Sequence, residues 1–341
     1  MRENVKFLQV GLGSMGKRRI RNLQQIKAGE IIGFDPQEAR RKEAEEKYKI
    51  RTFDDFEKAM AENPDALVIS TPPDLHMKYG IIAAQRNKHF FTELNVVDEG
   101  MKELIALCNG KKIVAAPSTT MLHHPAVQKI KELVDSGIIG KSLTFTYHSG
   151  QYLADWHPWE DYRKFYVSKR ETGAARELVS FELVWLTRIF GGINTVSGFS
   201  GKLSKLDADI DDTYQILLKF KNGVWGHVLV DVIARAPYRV FKLLGDEGVI
   251  EWDWNTKIVK VFTVKDKKWK EYQTEHGEPE KGYVWTEKMY IDEMKHFVKA
   301  IKGEVKYMYT FEEDQKILKT VYAAEESSKT GKHVDMSGIY K

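Results

Sequence analysis

A chain of 341 residues, 42% hydrophobic and 30% charged, has the length of about two domains of roughly 150 residues and enough apolar material for real cores. Its net charge of +4, with no run of lysine and arginine longer than three, gives no electrostatic reason to expect a nucleic-acid partner. The single cysteine, Cys108, excludes an internal disulfide and fits a reducing compartment, and no apolar run reaches the length that crosses a bilayer, so a cytoplasmic protein without a membrane partner is expected.

An apolar run at residues 7–10 leads directly into Gly11-Leu12-Gly13-Ser14-Met15-Gly16, and residues 17–26 read as a helix. In that strand, turn and helix context Gly11 makes the tight turn, Gly13 lets backbone approach a pyrophosphate, and Gly16 lets helix pack close to strand. Beside Ser14 and Met15 the helix N-terminus offers N–H groups and a positive dipole end to phosphates. Residues 30–35 read as a second strand ending in Asp35, 24 residues after Gly11, where an acid accepts from an adenosine ribose. That carboxylate would repel the 2′-phosphate of NADP, so NAD is the expected cofactor, although Arg40 and Arg41 follow and could offset the charge.

Helices are expected over residues 37–48 and 54–61. The continuous apolar strand at 66–70 is of the kind buried on both faces of a parallel sheet. It runs into Thr71-Pro72-Pro73-Asp74-Leu75-His76, where the prolines stop the strand and Asp74 can cap the next helix. A strand at 89–93, a helix at 99–108 and a strand at 112–116 continue the alternation, which implies a doubly wound parallel sheet.

After Pro125 the pattern changes. A helix over 126–134 precedes an alternating strand at 143–148, and Asn222-Gly223 between residues 214–220 and 224–230 is a hairpin signal. Strands at 238–244, 248–252 and 258–264 follow, so residues 140–275 read as a mainly antiparallel sheet interrupted by one helix at 173–190. Residues 289–301 carry a helical apolar face, and no repeats or low-complexity tracts occur.

Four patterns in this order resemble the glucose-fructose oxidoreductase and inositol dehydrogenase (Gfo/Idh/MocA) family. They are the glycine fingerprint, Thr71-Pro72-Pro73-Asp74-Leu75-His76, the segment from Pro125 to Leu133 with Gly137 and Gly140 behind it, and the tail Phe311-Glu312-Glu313-Asp314 with Glu326-Ser327-Ser328-Lys329-Thr330-Gly331-Lys332. The resemblance implies an N-terminal Rossmann domain over residues 1–122. A C-terminal α/β domain over 123–341 would bind substrate and build the oligomer through a large, mainly antiparallel open sheet, with the last helices free to pack back on the Rossmann domain. It further implies a carbohydrate-like substrate, a homodimer or homotetramer, and cofactor contacts from Thr71, Pro72, His76, Glu93 and Asn95.

The sequence departs from the family at its chemical positions. Where members carry Glu-Lys-Pro, this chain has Glu93-Leu94-Asn95; where an acid is followed four residues later by histidine, it has Glu177 and Phe181; where an arginine precedes the next helix, it has Leu122. Hydride transfer from an alcohol needs a group to accept the hydroxyl proton, so that group must come from elsewhere. Candidates are Glu177, His123, His157 and Tyr162. Residues 150–163 crowd aromatic, acidic and basic side chains, among which Tyr152, Trp156, Trp159 and Arg163, with Arg176 on the following helix, suit a sugar ring and its hydroxyls. His124 is weighed with His123, either of them a base or only a capping or solvated loop group, and Glu182 is read mainly as packing. No metal-ligand spacing is seen.

Three readings stay open. The first is an NAD-dependent oxidoreductase on a sugar or polyol with a relocated proton-transfer group. The second is a redox-silent protein that binds dinucleotide and carbohydrate, and the third a lyase or glycosidase that keeps NAD tightly bound.

Overall fold

The computed structural model describes residues 5–158, 160–275, 277–279 and 286–340. The chain forms two compact units, Met1–Thr120 with Tyr290–Gln315, and Met121–Met289 with Lys316–Lys341.

The first unit alternates strand and helix: β1 (Val5–Val10), α1 (Ser14–Gln25), β2 (Gly29–Phe34), α2 (Glu38–Tyr48), β3 (Arg51–Phe53), α3 (Phe56–Ala61), β4 (Ala66–Ile69), α4 (His76–Gln85), β5 (His89–Thr92), α5 (Met101–Cys108) and β6 (Ala115–Pro117). The strands pair in parallel in the order β3-β2-β1-β4-β5-β6. Phe7, Leu8 and Val10 of β1 and all four residues of β4 are fully buried, which is why both read as apolar runs without alternation. The order reverses between β1 and β4, the switch point outside whose carboxyl ends ligands of such sheets bind.

Two local expectations are corrected. The strand expected at 112–116 is confined to Ala115–Pro117, because the Val114 N–H is taken by the His89 imidazole at 2.9 Å. Asp74 does not cap α4: Pro73–Leu75 form a 3-10 turn, closed by the Leu75 N–H on the Pro72 carbonyl at 3.0 Å, and α4 follows without a side-chain cap.

The second unit begins with α6 (Pro125–Asp135), β7 (Ser142–Gly150), α7 (Ala174–Phe190), β8 (Ile193–Gly201), β9 (Thr213–Phe220) and β10 (Trp225–Asp231). It continues with β11 (Tyr238–Gly245), β12 (Gly248–Asp253), β13 (Ile258–Thr263) and β14 (Lys268–Gln273). Three elements close the chain: α8 (Lys288–Ile301), which belongs to the first unit from Tyr290 onward, α9 (Phe311–Thr330), whose first turn belongs to it as well, and β15 (Val334–Asp335). The nine-stranded sheet runs β14-β13-β12-β11-β7-β10-β9-β8-β15, antiparallel throughout except where β7 lies parallel to β10. Aromatic side chains fix α7 on one face: Phe190 stacks on Phe145 at 4.6 Å, and Trp185 meets Tyr147 edge-on at 5.2 Å. The other face leaves Phe199, Trp225 and Leu217 at 78%, 62% and 58% exposure.

Candidate active site

Gly11 adopts φ +88°, and a Cβ on it would lie 2.6 Å from the Ser70 carbonyl oxygen, so the turn after β1 takes glycine only. α1 starts at Ser14 behind Gly13, with no side-chain cap and no acid in its first turn. Its N-terminal N–H groups and positive dipole end therefore lie at the turn with no side-chain cap from Gly13 and no acid in the first turn.

Asp35 is buried at the end of β2. One carboxylate oxygen accepts the Leu12 N–H at 2.9 Å and the other the Gln37 N–H at 2.8 Å, which aims the group and leaves each oxygen a further acceptor site. Arg40 lies 3.6 Å away, whereas Arg41 donates to the backbone carbonyls of Asp35 and Pro36. This set fits a dinucleotide: a glycine turn, an uncapped helix start for the pyrophosphate, and a fixed carboxylate for the ribose.

The next groups sit at the ends of β4 and β5. Glu93 receives the Arg19 fork at 2.7 Å on each oxygen and the Ser70 hydroxyl at 2.8 Å. Arg19 also lies 2.9 Å from Glu293, whose carboxylate collects the Ser118 and Thr120 hydroxyls and the Thr119 N–H. Leu94, at the lysine position, is buried and offers neither charge nor proton.

His76 is buried between two oxygens, Asn95 Oδ1 at 3.0 Å from Nδ1 and the Thr71 carbonyl at 3.0 Å from Nε2. The Asn95 amide donates in turn to Asp314 at 2.7 Å. Burial pulls the His76 imidazole below its ordinary value, against the opposing effect of those oxygens and of Glu93, and pushes the Asp314 carboxyl up to about 7. Thr71 and Pro72 flank this cluster on the turn that carries His76.

In the second unit the helix α7 carries the other departures. Phe181 is half-buried and Leu122 buried. Next to Phe181, Glu182 is fully buried and accepts from Arg239 at 2.8 Å and from the Trp185 indole at 2.8 Å. The Arg239 guanidinium lies 5.8 Å from the Phe181 ring and 5.2 Å from that of Trp254. Burial beside Glu182 also raises the Tyr147 hydroxyl well above its ordinary range. Arg239 is the partner that sequence reading missed. Its signal was available: it falls on the inward-facing parity of the alternating strand β11, and a buried arginine requires an acid.

The remaining candidates are placed as follows. Glu177, in the first turn of α7, accepts the Tyr166 hydroxyl at 3.3 Å. Tyr166 meets Phe165 at 5.9 Å, and Phe165 stacks on His157 at 6.0 Å, so one aromatic chain joins His157 to Glu177. His157 also reaches Glu160 at 3.2 Å. The Tyr162 hydroxyl accepts the Asp207 N–H at 3.2 Å, and Arg163 forks onto Asp161 at 2.7 and 2.8 Å.

Tyr152 lies under Arg235 at 3.9 Å, and Trp156 is half-buried. Arg176 is buried against Glu325 at 2.6 Å and the Glu171 carbonyl at 2.5 Å. His123 is buried at the start of this unit, and His124 caps α6 by accepting the Ala126 N–H at 3.2 Å while stacking on Trp254. Trp159 lies outside the described residues. Among the described residues, no group of three or more histidine, cysteine, aspartate or glutamate side chains could hold a metal ion, and no helix is long and apolar enough to cross a membrane.

Comparison with known proteins places this geometry. A family model described as an oxidoreductase family with an NAD-binding Rossmann fold matches residues 5–119, and one described as the GFO/IDH/MocA C-terminal domain matches residues 127–251. Levoglucosan dehydrogenase of Pseudarthrobacter phenanthrenivorans is 26% identical over 235 residues, which span 59% of this chain and 58% of that protein. Myo-inositol 2-dehydrogenase of Thermotoga maritima is 23% identical over 350 aligned positions, 97% of this chain and 98% of that protein.

Among solved structures, levoglucosan dehydrogenase in complex with NADH and levoglucosan superposes with a TM-score of 0.85 at 20% identity, covering 98% of this chain and 99% of that one. An oxidoreductase from Agrobacterium radiobacter in complex with NAD+, L-tartaric acid and magnesium gives 0.86 at 16% identity with the same coverage. At these identities the structures establish a common fold.

Proposed function

Because the chain belongs to the Gfo/Idh/MocA oxidoreductase family, with an NAD-binding Rossmann domain at its N-terminus, we propose that it is a dehydrogenase of a sugar, polyol or sugar derivative. In this reading residues 1–122 bind the dinucleotide and residues 123–341 the substrate. The observation that carries it is the uncapped start of α1 beside a fixed Asp35, in a chain whose named relatives act on levoglucosan and myo-inositol. Bound NAD supplies the hydride acceptor. The chain's own residues hold the pyrophosphate at Gly11 to Gly16 and the ribose at Asp35, and they must take a hydroxyl proton without the lysine that Leu94 replaces.

Glu177, His123, His157 and Tyr162 are the groups we consider for that proton, with Glu177 first. Its carboxylate stands at the head of α7, held by a phenol and not fully enclosed. Tyr152, Trp156, Trp159, Arg163 and Arg176 are the side chains we consider for the ring and its hydroxyls. The test is a panel of sugars, inositols and sugar acids, with nicotinamide absorbance as readout. Turnover of at least one member is expected, and Glu177→Gln should lower it by about 10²–10⁴ with NAD affinity unchanged. A panel in which nothing is oxidised or reduced, while Leu94→Lys gains activity, would replace this reading by the redox-silent one.

NAD should bind at least about tenfold more tightly than NADP, a difference of roughly 1.4 kcal/mol, because the Asp35 carboxylate faces the ribose and the nearby cation Arg40 already pairs with it. Asp35→Ala should narrow or reverse the ratio by releasing Arg40 to a phosphate. Calorimetric titration of both cofactors measures this, and tighter NADP binding by the unaltered protein would refute it.

We also propose a homodimer or a tetramer of dimers that covers the sheet face bearing Phe199, Leu217 and Trp225, since exposed apolar area of this kind is normally an interface. Light scattering at micromolar concentration should give a multiple of the 39.4 kDa chain mass; a monomer mass would contradict it. The single cysteine accords with a reducing, cytoplasmic setting.

A further inference from the structure

The hydrogen bonds around His76 do not balance for a neutral imidazole. Both ring nitrogens face oxygens that carry no hydrogen, Asn95 Oδ1 at 3.0 Å and the Thr71 carbonyl at 3.0 Å. A neutral ring has one N–H, so one of these contacts would set lone pair against lone pair; an imidazolium donates to both. Across the asparagine, Nδ2 donates to Asp314 Oδ2 at 2.7 Å, with Thr92 Oγ1 at 3.3 Å, so Oδ2 of Asp314 is an acceptor. The Tyr309 hydroxyl donates to its other oxygen at 3.3 Å. His76, Asn95 and Asp314 are each at least nine-tenths buried.

We propose that His76, Asn95 and Asp314 hold one proton in common, resting on His76, and that this buried imidazolium supplies at the end of β4 the positive charge that Leu94 cannot.

The alternative arrangement is one amide rotation away. As a proton leaves His76 Nδ1 and one is gained by Asp314 Oδ2, the Asn95 amide turns over. Its Nδ2 then donates to the bare Nδ1, and its Oδ1 accepts from the new carboxyl O–H. The trio is neutral before and after, and every hydrogen bond keeps a donor and an acceptor. Desolvation draws toward this second state, because burial lowers the affinity of His76 for its proton and raises that of Asp314 to about 7, and the neighbouring acid Glu313 draws the same way. The acids Glu93 and Asp74 near His76 draw toward the first by favouring the cation, and the Asn95 and Tyr309 donors do so by favouring the carboxylate. The first state is the one that matches the amide with its oxygen toward His76 and its nitrogen toward Asp314. Loss of the shared proton would leave a lone buried carboxylate, so the trio keeps it over a wider pH range than either group alone.

The asparagine is the necessary piece. The proline that the family resemblance places at residue 95 has no side-chain donor or acceptor, and the relay would be cut there. The proton arrangement stands on the first unit's geometry alone; only its effect on turnover rests on the dehydrogenase reading above.

Nitrogen-15 histidine spectra of the 341-residue chain test it. At neutral pH the His76 ring should carry protons on both nitrogens, because its two oxygen acceptors and the carboxylate across Asn95 outweigh, in setting its midpoint, the burial that by itself lowers its affinity for the proton. Asp314→Asn should bring that midpoint down by at least about one pH unit, and Asn95→Leu, which removes the amide without touching either titrating group, should do the same. Circular dichroism and thermal melts confirm that each variant is folded, and either variant suffices if the other is not. A singly protonated His76 in the unaltered protein, or a midpoint that neither variant moves, overturns the proposal. With a turned-over substrate, the acid limb of the kcat/KM profile should shift in the same direction; a panel with no substrate would fail the dehydrogenase reading while the spectra still decide the trio.

Discussion

Replacing Arg19 by leucine should destabilise the protein by about 3–5 kcal/mol, the usual cost of removing one partner from a buried ion pair. The guanidinium is fully buried, forks onto Glu93 at 2.7 Å, lies 2.9 Å from Glu293, and sits 4.7 Å from the Phe91 ring. Leucine fills part of the volume and leaves two carboxylates facing each other. Glu293 keeps three donors from Ser118, Thr119 and Thr120, whereas Glu93 keeps the Ser70 hydroxyl.

Against a total stability of about 5–15 kcal/mol for a native domain, such a loss should be plain in the guanidinium chloride unfolding midpoint. Lysine at this position should recover only part of it, because one ammonium cannot fork onto Glu93 and reach Glu293 at once. A leucine variant within about 1 kcal/mol of the original would show that the acids relax without their cation.

Gly16→Ala and Gly13→Ala should separate fold from cofactor binding. A Cβ on Gly16 would stand 2.0 Å from the Gly11 carbonyl oxygen, a backbone atom that yields only if α1 lifts from β1. Overpacking of this kind costs about 1–3 kcal/mol. Because it displaces the helix start proposed to receive the phosphates, NAD affinity should fall by about a hundredfold or more, some 2.8 kcal/mol.

On Gly13 the nearest neighbour of a Cβ would be the flexible Arg40 side chain at 3.7 Å, an ordinary contact. Stability should then stay within about 0.5 kcal/mol of the original, as for surface substitutions, while NAD should weaken, because a methyl would stand where the backbone is proposed to approach the pyrophosphate. Thermal melts and NAD titration of the two variants measure both effects. A Gly13→Ala protein with unchanged affinity would mean that the dinucleotide does not approach the loop at that glycine.

The organisation of the chain was legible wherever a local pattern has one physical solution. Apolar runs without alternation at β1 and β4 can only be strands covered on both faces, Gly11 tolerates no side chain, and Asn222-Gly223 turns the chain between β9 and β10. Asp35 was legible for the same reason, since strand, turn and helix fix its distance from the glycines along the chain. The strands β3 and β14 were not. β3 has three residues, too few for a period, and β14 is mostly exposed, so its residues carry no inward signature.

The partners of buried polar groups also escaped the sequence. Alternation along β11 turns Arg239 inward without saying that Glu182, 57 residues earlier, will meet it. Asn95 and Asp314 stand 219 residues apart, and nothing local distinguishes that aspartate from the more exposed acids Glu312 and Glu313 beside it. Periodicity records which side of an element is desolvated; which donor finds which acceptor depends on how the elements are laid against one another. The glycine cradle and the class of each unit were therefore determined by the sequence itself, whereas the ion pairs of Arg19 and Arg239 and the proton held at His76 were decided only when the tertiary structure enclosed them.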